Sequence, residues 1–338
     1  MSDKWKGALY MKDVRIAIAG SWAFHATEFV ERIQKRGDCK VTTAWDCDAV
    51  KGKEWADSMG LQFQPDYDLL VQDPEIDAII LTSATVDHDL MTQKAVRAGK
   101  HIISEKAPMV TMEGAIAVKQ ALSENDVIYK VSDPVRKPKL QYLKKMADDG
   151  MFGQLTMVVT RNVNDKGLRN TLPERFFNKE ESGGGVLMDV GCHGLHALSW
   201  FLGAPVECCT VTGQTLPLAM TYGSEDNVAA SFRFENGALG VVLSCWSGPR
   251  AQEAFHIYGT KGCAHIMGNL PIQYCLQDGV WITVPDSELP APMPKPMDMW
   301  LDTLIYGTPH EEYGIDEAVA LTEMVCAAYR AAEHTEKI

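Results

Sequence analysis

The 338-residue chain has no apolar run approaching the roughly 20 residues that a membrane-spanning helix needs. It has no run of Lys or Arg either. With 32 Lys+Arg against 45 Asp+Glu the formal net charge is -13, whereas a nucleic-acid binder needs a basic footprint. An acidic surface also disfavours anionic membranes. The nine cysteines show no C-x-x-C spacing, and the adjacent Cys208 and Cys209 suit neither a zinc knuckle nor a redox pair. They read as reduced thiols of a cytoplasmic protein. Residues 1–12, "MSDKWKGALYMK", lack the apolar core of a secretory leader and read as a flexible extension.

What is present is an ordinary globular composition, 46% hydrophobic and 23% charged, over a length that suggests two domains. Continuous apolar segments at 14–19, 40–46, 76–83, 101–105 and 127–132 alternate with helical patterns at 25–35, 50–59, 87–98 and 111–124. That alternation predicts a doubly wound parallel sheet covered on both faces. After a helix at 138–148 the pattern changes to strands of alternating polarity, beginning at 154–163 and running through 272–277. Turn signals at 235–237 and 259–262 predict hairpins. One helix near 190–202 interrupts them, and helices near 298–306 and 315–333 close the chain. The proline-rich stretch 284–298 reads as a surface loop. The expected fold is α/β plus α+β: a parallel-sheet domain over 1–130 and a domain with an open, mostly antiparallel sheet over 131–338.

Three stretches carry chemistry. In "VRIAIAGSWAFHATEF" a strand turns at Gly20 into a helix, the setting of a G-x-G-x-x-G dinucleotide turn, but Trp22 and His25 stand where the other two glycines belong. A helix N-terminus there suits a pyrophosphate. Asp46 follows the next strand and suits ribose hydroxyls, and its charge favours NAD over NADP. An indole at 22 that leaned over the pyrophosphate would leave binding intact; one that filled its place would abolish it. In "SEKAP" Lys106 follows the C-terminal end of a parallel strand, where open α/β sheets place ligands; the alternative is a solvated lysine. In "GGGVLMDVGCHGLHALSWFLG" Asp189 and His193 are four apart. On one helix they share a face, and the carboxylate can orient the imidazole, whose pKa suits proton transfer near neutrality. Gly183 to Gly185 permit a close backbone approach to a ligand. Asp189, Cys192, His193 and His196 do not have a metal-ligand spacing, so no metal is expected.

These motifs, in this order, resemble the glucose–fructose oxidoreductase/inositol dehydrogenase/MocA family (Gfo/Idh/MocA). "DPEIDAIILTSATVDH" is similar to its third strand and T-P-N-x-x-H loop, with Ser83, Ala84 and Thr85 at T-P-N and His88 at the histidine. "AGKHIISEKAP" is similar to A-G-K-H-V-x-x-E-K-P, and "GGGVLMDVGCHGLHALSWFLG" to G-G-G-x-x-x-D-x-G-x-H-x-x-D. "FRFENGALGVVLSCW", "IYGTKG" and "GIDEAVALTEMVCAAYRAA" also resemble the second domain. Ala107 replaces the proline of E-K-P, His196 replaces the last aspartate, and the glycine turn is shortened.

The resemblance implies a Rossmann NAD-binding domain and an NAD-dependent oxidoreductase. Such an enzyme moves a hydride between nicotinamide and a secondary alcohol of a sugar, glycoside or cyclitol. Lys106, Asp189 and His193 would be catalytic, with either Lys106 or His193 taking the proton. Gly20, Ser21, Trp22, His25, Asp46, Ser83, Thr85, His88, Glu105 and Lys106 would line the cofactor. Arg161, Asn162, Asn164 and Arg169 would join Lys106, Asp189 and His193 at the substrate. Two other readings stand beside this one: a redox-neutral enzyme that retains NAD while it cleaves or epimerises a glycoside, and a non-catalytic sugar or dinucleotide sensor. The antiparallel sheet would mediate a homo-dimer or homo-tetramer, with no nucleic-acid or membrane partner.

Overall fold

Six parallel strands form the first sheet of the computed structural model, which describes residues 13–334 and 336. They are β1 (Val14–Ala19), β2 (Cys39–Trp45), β3 (Gln62–Phe63), β4 (Ala78–Leu81), β5 (His101–Glu105) and β6 (Tyr129–Ser132). Their order is β3-β2-β1-β4-β5-β6, with every neighbouring pair parallel. The chain reverses its winding between β1 and β4, the kind of switch point at which such sheets bind ligands. Ile16, Ile18, Ile80 and Ile103 are fully buried, as expected for strands covered on both faces. Connecting helices start on side-chain caps: Asp48 accepts N–H bonds from Val50 and Lys51, and Thr111 accepts one from Gly114. The expected flexible extension at 1–12 lies outside the described residues.

The first compact unit takes residues up to Asp133 together with Pro294–Val319. A single boundary at 130/131 gives the latter segment to the second domain, and the structure corrects this. Helix Pro296–Tyr306 buries Met297, Trp300, Leu301, Leu304 and Ile305 in one core with Val14, Ile16, Val30 and Ile33. Arg32 pairs with Asp298, and Arg36 with Asp302, over its polar edge. The helix begins inside the stretch read as a loop. Pro296 stands in its first turn, where a missing N–H and a fixed φ are tolerated.

The second unit takes Pro134–Met293 and the chain from Ala320. Its eight strands are β7 (Leu155–Val163), β8 (Pro205–Gly213), β9 (Asn227–Phe234), β10 (Leu239–Cys245), β11 (Gln252–Gly259), β12 (Gly262–Met267), β13 (Gln273–Leu276) and β14 (Trp281–Thr283). The order is β14-β13-β12-β11-β7-β10-β9-β8. β7 and β10 run parallel and the other pairs antiparallel. Helix Cys192–Leu202 lies against β7 and β10, over the buried Val158, Thr160, Val242 and Ser244. The opposite face carries Met157, Val159, Val241 and Leu243, all half-buried. Helices Lys179–Ser182 and Pro217–Tyr222 and strand β14 are absent from the sequence reading, because four to six residues, or three exposed ones, show no period. Among the described residues no helix is long and apolar enough to cross a membrane.

Candidate active site

The turn after β1 is set by a close crossing. Gly20 has φ +105°, and a Cβ there would lie 2.5 Å from Ser83 Cα, so only glycine fits. Ser83 and Thr85 are buried, and the Ser83 backbone lies beneath Gly20. The Gly20 N–H donates to Trp45 O (2.7 Å), and the Ala23 N–H to Thr82 O (3.0 Å). The Ser21 N–H and hydroxyl both donate to Asp46 Oδ2, at 2.8 and 2.6 Å. Asp46 Oδ1 accepts the Asp48 N–H at 2.9 Å. The carboxylate expected at the ribose is thus first the anchor of the turn. It is buried beyond β2. Trp22 is half-buried.

His25 precedes helix Ala26–Gln34. Its Nδ1 lies 2.8 Å from Glu105 Oε1, with the imidazole half-exposed and the carboxylate 3% exposed. The hydrogen bond to Glu105 raises the His25 pKa, against the opposing effect of burial. Glu105 Oε2 accepts the backbone N–H of Lys106 at 3.0 Å, and the half-buried Lys106 follows directly on β5. His88, expected at the cofactor, is 1% exposed. Its Nδ1 is 3.0 Å from Ala107 O, and its Nε2 is 3.1 Å from Ser83 O. It ties the loop after β4 to the loop after β5 rather than facing a ligand, and burial lowers its pKa.

In the second unit a π-helical turn, Leu187–Gly191, leads into helix Cys192–Leu202. The wider turn falls on the Asp189–His193 stretch, where spacing predicts regular α-helix. Such insertions are frequent at functional sites. Asp189 and His193 are both half-buried. The indole N–H of Trp246 donates to Asp189 Oδ2 at 3.0 Å. Trp246 is fully buried and meets Phe177 edge-on at 5.1 Å.

Gly184 and Gly185 do not cradle a ligand. A Cβ on Gly184 would lie 2.0 Å from Tyr329 Oη, and one on Gly185 would lie 2.1 Å from Glu225 O. Buried Glu225 accepts the N–H groups of Gly185 (3.0 Å) and Leu187 (3.1 Å) and the Tyr329 hydroxyl (2.8 Å). Burial, then the Glu225 charge, hold the Tyr329 pKa well above its usual value, so the phenol stays a donor. Glu225 belongs to no motif in the sequence reading, and Trp246 and Tyr329, although inside stretches that resemble the second domain, carry no role there. Only the polarity of Glu225 within a buried stretch could have signalled one of them.

The four residues expected at the substrate separate. Asn162 pairs in register with buried Ser244, on the face that helix Cys192–Leu202 covers. Arg161, one residue away, falls on the opposite face with His256 by strand alternation. It leaves the substrate set. Asn164 Oδ1 accepts the Lys166 N–H at 3.0 Å and shapes the loop. Arg169 is exposed and pairs with Asp165 at 2.7 Å.

A parallel sheet with a dinucleotide-type turn, a lysine at its C-terminal edge and a carboxylate and an imidazole on a separate antiparallel domain define a Rossmann-domain oxidoreductase. The chain belongs to the Gfo/Idh/MocA family. Residues 14–132 match the model described as oxidoreductase family, NAD-binding Rossmann fold, and 140–265 match that of the Gfo/Idh/MocA C-terminal domain. The chain is 26% identical over 242 residues to the uncharacterized oxidoreductase YrbE of Bacillus subtilis (strain 168), covering 70% of this chain and 68% of that one. It is 28% identical over 227 residues to scyllo-inositol 2-dehydrogenase (NAD(+)) of the same organism, covering 65% and 64%. The fold is similar to that of levoglucosan dehydrogenase in complex with NADH, with a TM-score of 0.80 at 18% identity over 95% of this chain and 97% of that one.

Proposed function

We propose that the protein is a cytoplasmic NAD-dependent dehydrogenase of a polyhydroxylated ring, oxidising a secondary alcohol of a sugar, glycoside or cyclitol. The observation that carries this reading is Asp189, fixed by the buried Trp246 indole, one helical turn from His193. The first unit's edge suits the cofactor: Ser21 and Asp46 offer polar groups to a ribose, His25 and Lys106 offer basic groups, and the Asp46 carboxylate disfavours a 2′-phosphate. Bound NAD supplies the hydride acceptor. His193 takes the hydroxyl proton. Asp189 orients the imidazole and stabilises its cationic form. Lys106 donates a hydrogen bond to the developing alkoxide, and Asn162 offers an amide to a second hydroxyl. The substrate class follows the relatives, which are named for an inositol and for levoglucosan.

Nicotinamide absorbance of the purified protein, followed with a panel of sugars, glycosides and inositols, tests this directly. NADH formation with at least one polyol is expected; NAD binding with no turnover would favour a sensor. His193→Ala and Lys106→Ala should each lower kcat by about 10³-fold with the fold intact. Near-normal rates in both would remove the assignment. We assign the open face of the second sheet to a homo-oligomer. That face presents Val241, Leu243 and a ring stripe of His256, His265 and Trp281, and light scattering should report a dimer or tetramer.

A further inference from the structure

A glycine-rich dinucleotide turn holds a diphosphate through outward-facing N–H groups. Here the N–H groups of Gly20, Ser21, Ala23 and Ala26 are committed inside the protein, to Trp45 O, Asp46 Oδ2, Thr82 O and Ala23 O. The turn therefore has much less backbone to offer an anion. Beside it stands the His25–Glu105 pair. β4 lies between β1 and β5, and adjacent strands are about 4.8 Å apart. An imidazole that follows β1 and reaches the end of β5 must span the C-terminal end of β4. That is the crevice beside the switch point, where open α/β sheets take their ligands. With Nδ1 committed to Glu105 and 49% of the side chain exposed, Nε2 is the ring nitrogen that can meet a ligand.

We infer that His25, oriented by its hydrogen bond to Glu105, is the diphosphate ligand of this turn, so that dinucleotide affinity depends on a single imidazole. The inference rests on the oxidoreductase reading above. The groups around His25 agree with it. Glu105 raises its pKa above the ordinary 6.5 through the hydrogen bond and through charge, and Glu28 on its own helix adds to this. Burial and the neighbouring Lys106 oppose it, and the Phe29 ring packs alongside at 5.9 Å. An anion at Nε2 raises the pKa again in the complex. Affinity is therefore full below the pKa of the free protein and falls as pH rises through it, levelling off above the pKa of the complex.

The test is the Kd of ADP-ribose, whose diphosphate diester keeps its charge throughout, and of adenosine, which has none. Both are measured by calorimetry from acid to alkaline pH. Wild-type protein should lose about tenfold in ADP-ribose affinity across the transition, the worth of one charge-assisted hydrogen bond. His25→Gln should sit at the weak, high-pH level throughout. Glu105→Gln should move the transition to lower pH. Adenosine should be flat in all three. A wild-type ADP-ribose profile without pH dependence, or one that His25→Gln leaves unchanged, overturns the inference while NADH binding keeps the oxidoreductase reading intact. Failure of the wild type to bind NADH at any pH overturns both.

Discussion

Asp46 and Asp189 are both carboxylates assigned to the chemistry of a small molecule, and each is already held by a neighbour. Asp46 is held by the Ser21 N–H and hydroxyl, 25 residues away, across two adjacent strand ends. Asp189 is held by the Trp246 indole, 57 residues away, and the segment before it by Glu225 and Tyr329, 40 and 144 residues from Gly185. In the first unit the reactive edge is a set of short loops beyond parallel strands, each braced by the next. In the second the residues proposed for proton transfer stand on a π-turn and the helix it leads into, and the packing of that helix on the sheet fixes them. Local bracing confines a disturbance to the cofactor turn. Distant bracing makes Asp189 and the segment before it report on the integrity of their whole domain.

The sharpest way to break that contrast is Gly185→Ala. Its methyl group would press on the Glu225 carbonyl, so urea denaturation should show a loss of roughly 3 kcal/mol. A loss well under 1 kcal/mol would mean that the segment relaxes locally, as the turn of the first unit does. Trp246→Phe keeps a ring in the core but removes the Asp189 donor. It should lower kcat by about tenfold, with little change in KM for NAD. Ser21→Ala should act the other way round. It should weaken NAD binding a few-fold, at about 1 kcal/mol, and leave kcat at saturating cofactor unchanged. Arg169→Ala should do least: an exposed ion pair contributes little, and neither the urea midpoint nor turnover should move measurably.

The same contrast explains what was legible in the sequence. The parallel strands announce themselves as apolar runs, and Gly20, Asp46 and Lys106 follow from their positions at strand ends. The pairing of His25 with Glu105, 80 residues away, is invisible because strand order is not written in the chain. The D-x-G-x-H spacing pointed to Asp189 and His193, but not to the π-turn between them or to the indole behind Asp189. Arg161 and Asn162 look equivalent in sequence. Strand alternation sends one to each face, and the pairing of β7 with β10 and β11 decides which of them the helix covers. His88 looks like a ligand until burial shows both ring nitrogens against backbone carbonyls.

The helix Pro296–Tyr306 gives the first unit an unusual timetable. Arg32 and Asp298, which meet at its edge, are 266 residues apart, and Trp300 is fully buried in that core. As the chain leaves the ribosome, the parallel sheet can form early, but one flank of its core has no cover until the helix Pro296–Tyr306 has been made. Contacts of such long span form slowly, and an exposed apolar flank is prone to aggregate while it waits. A fragment ending after β6 would hold that unfinished state permanently. The nascent protein therefore has a long interval in which its cofactor domain is folded in outline and still sticky.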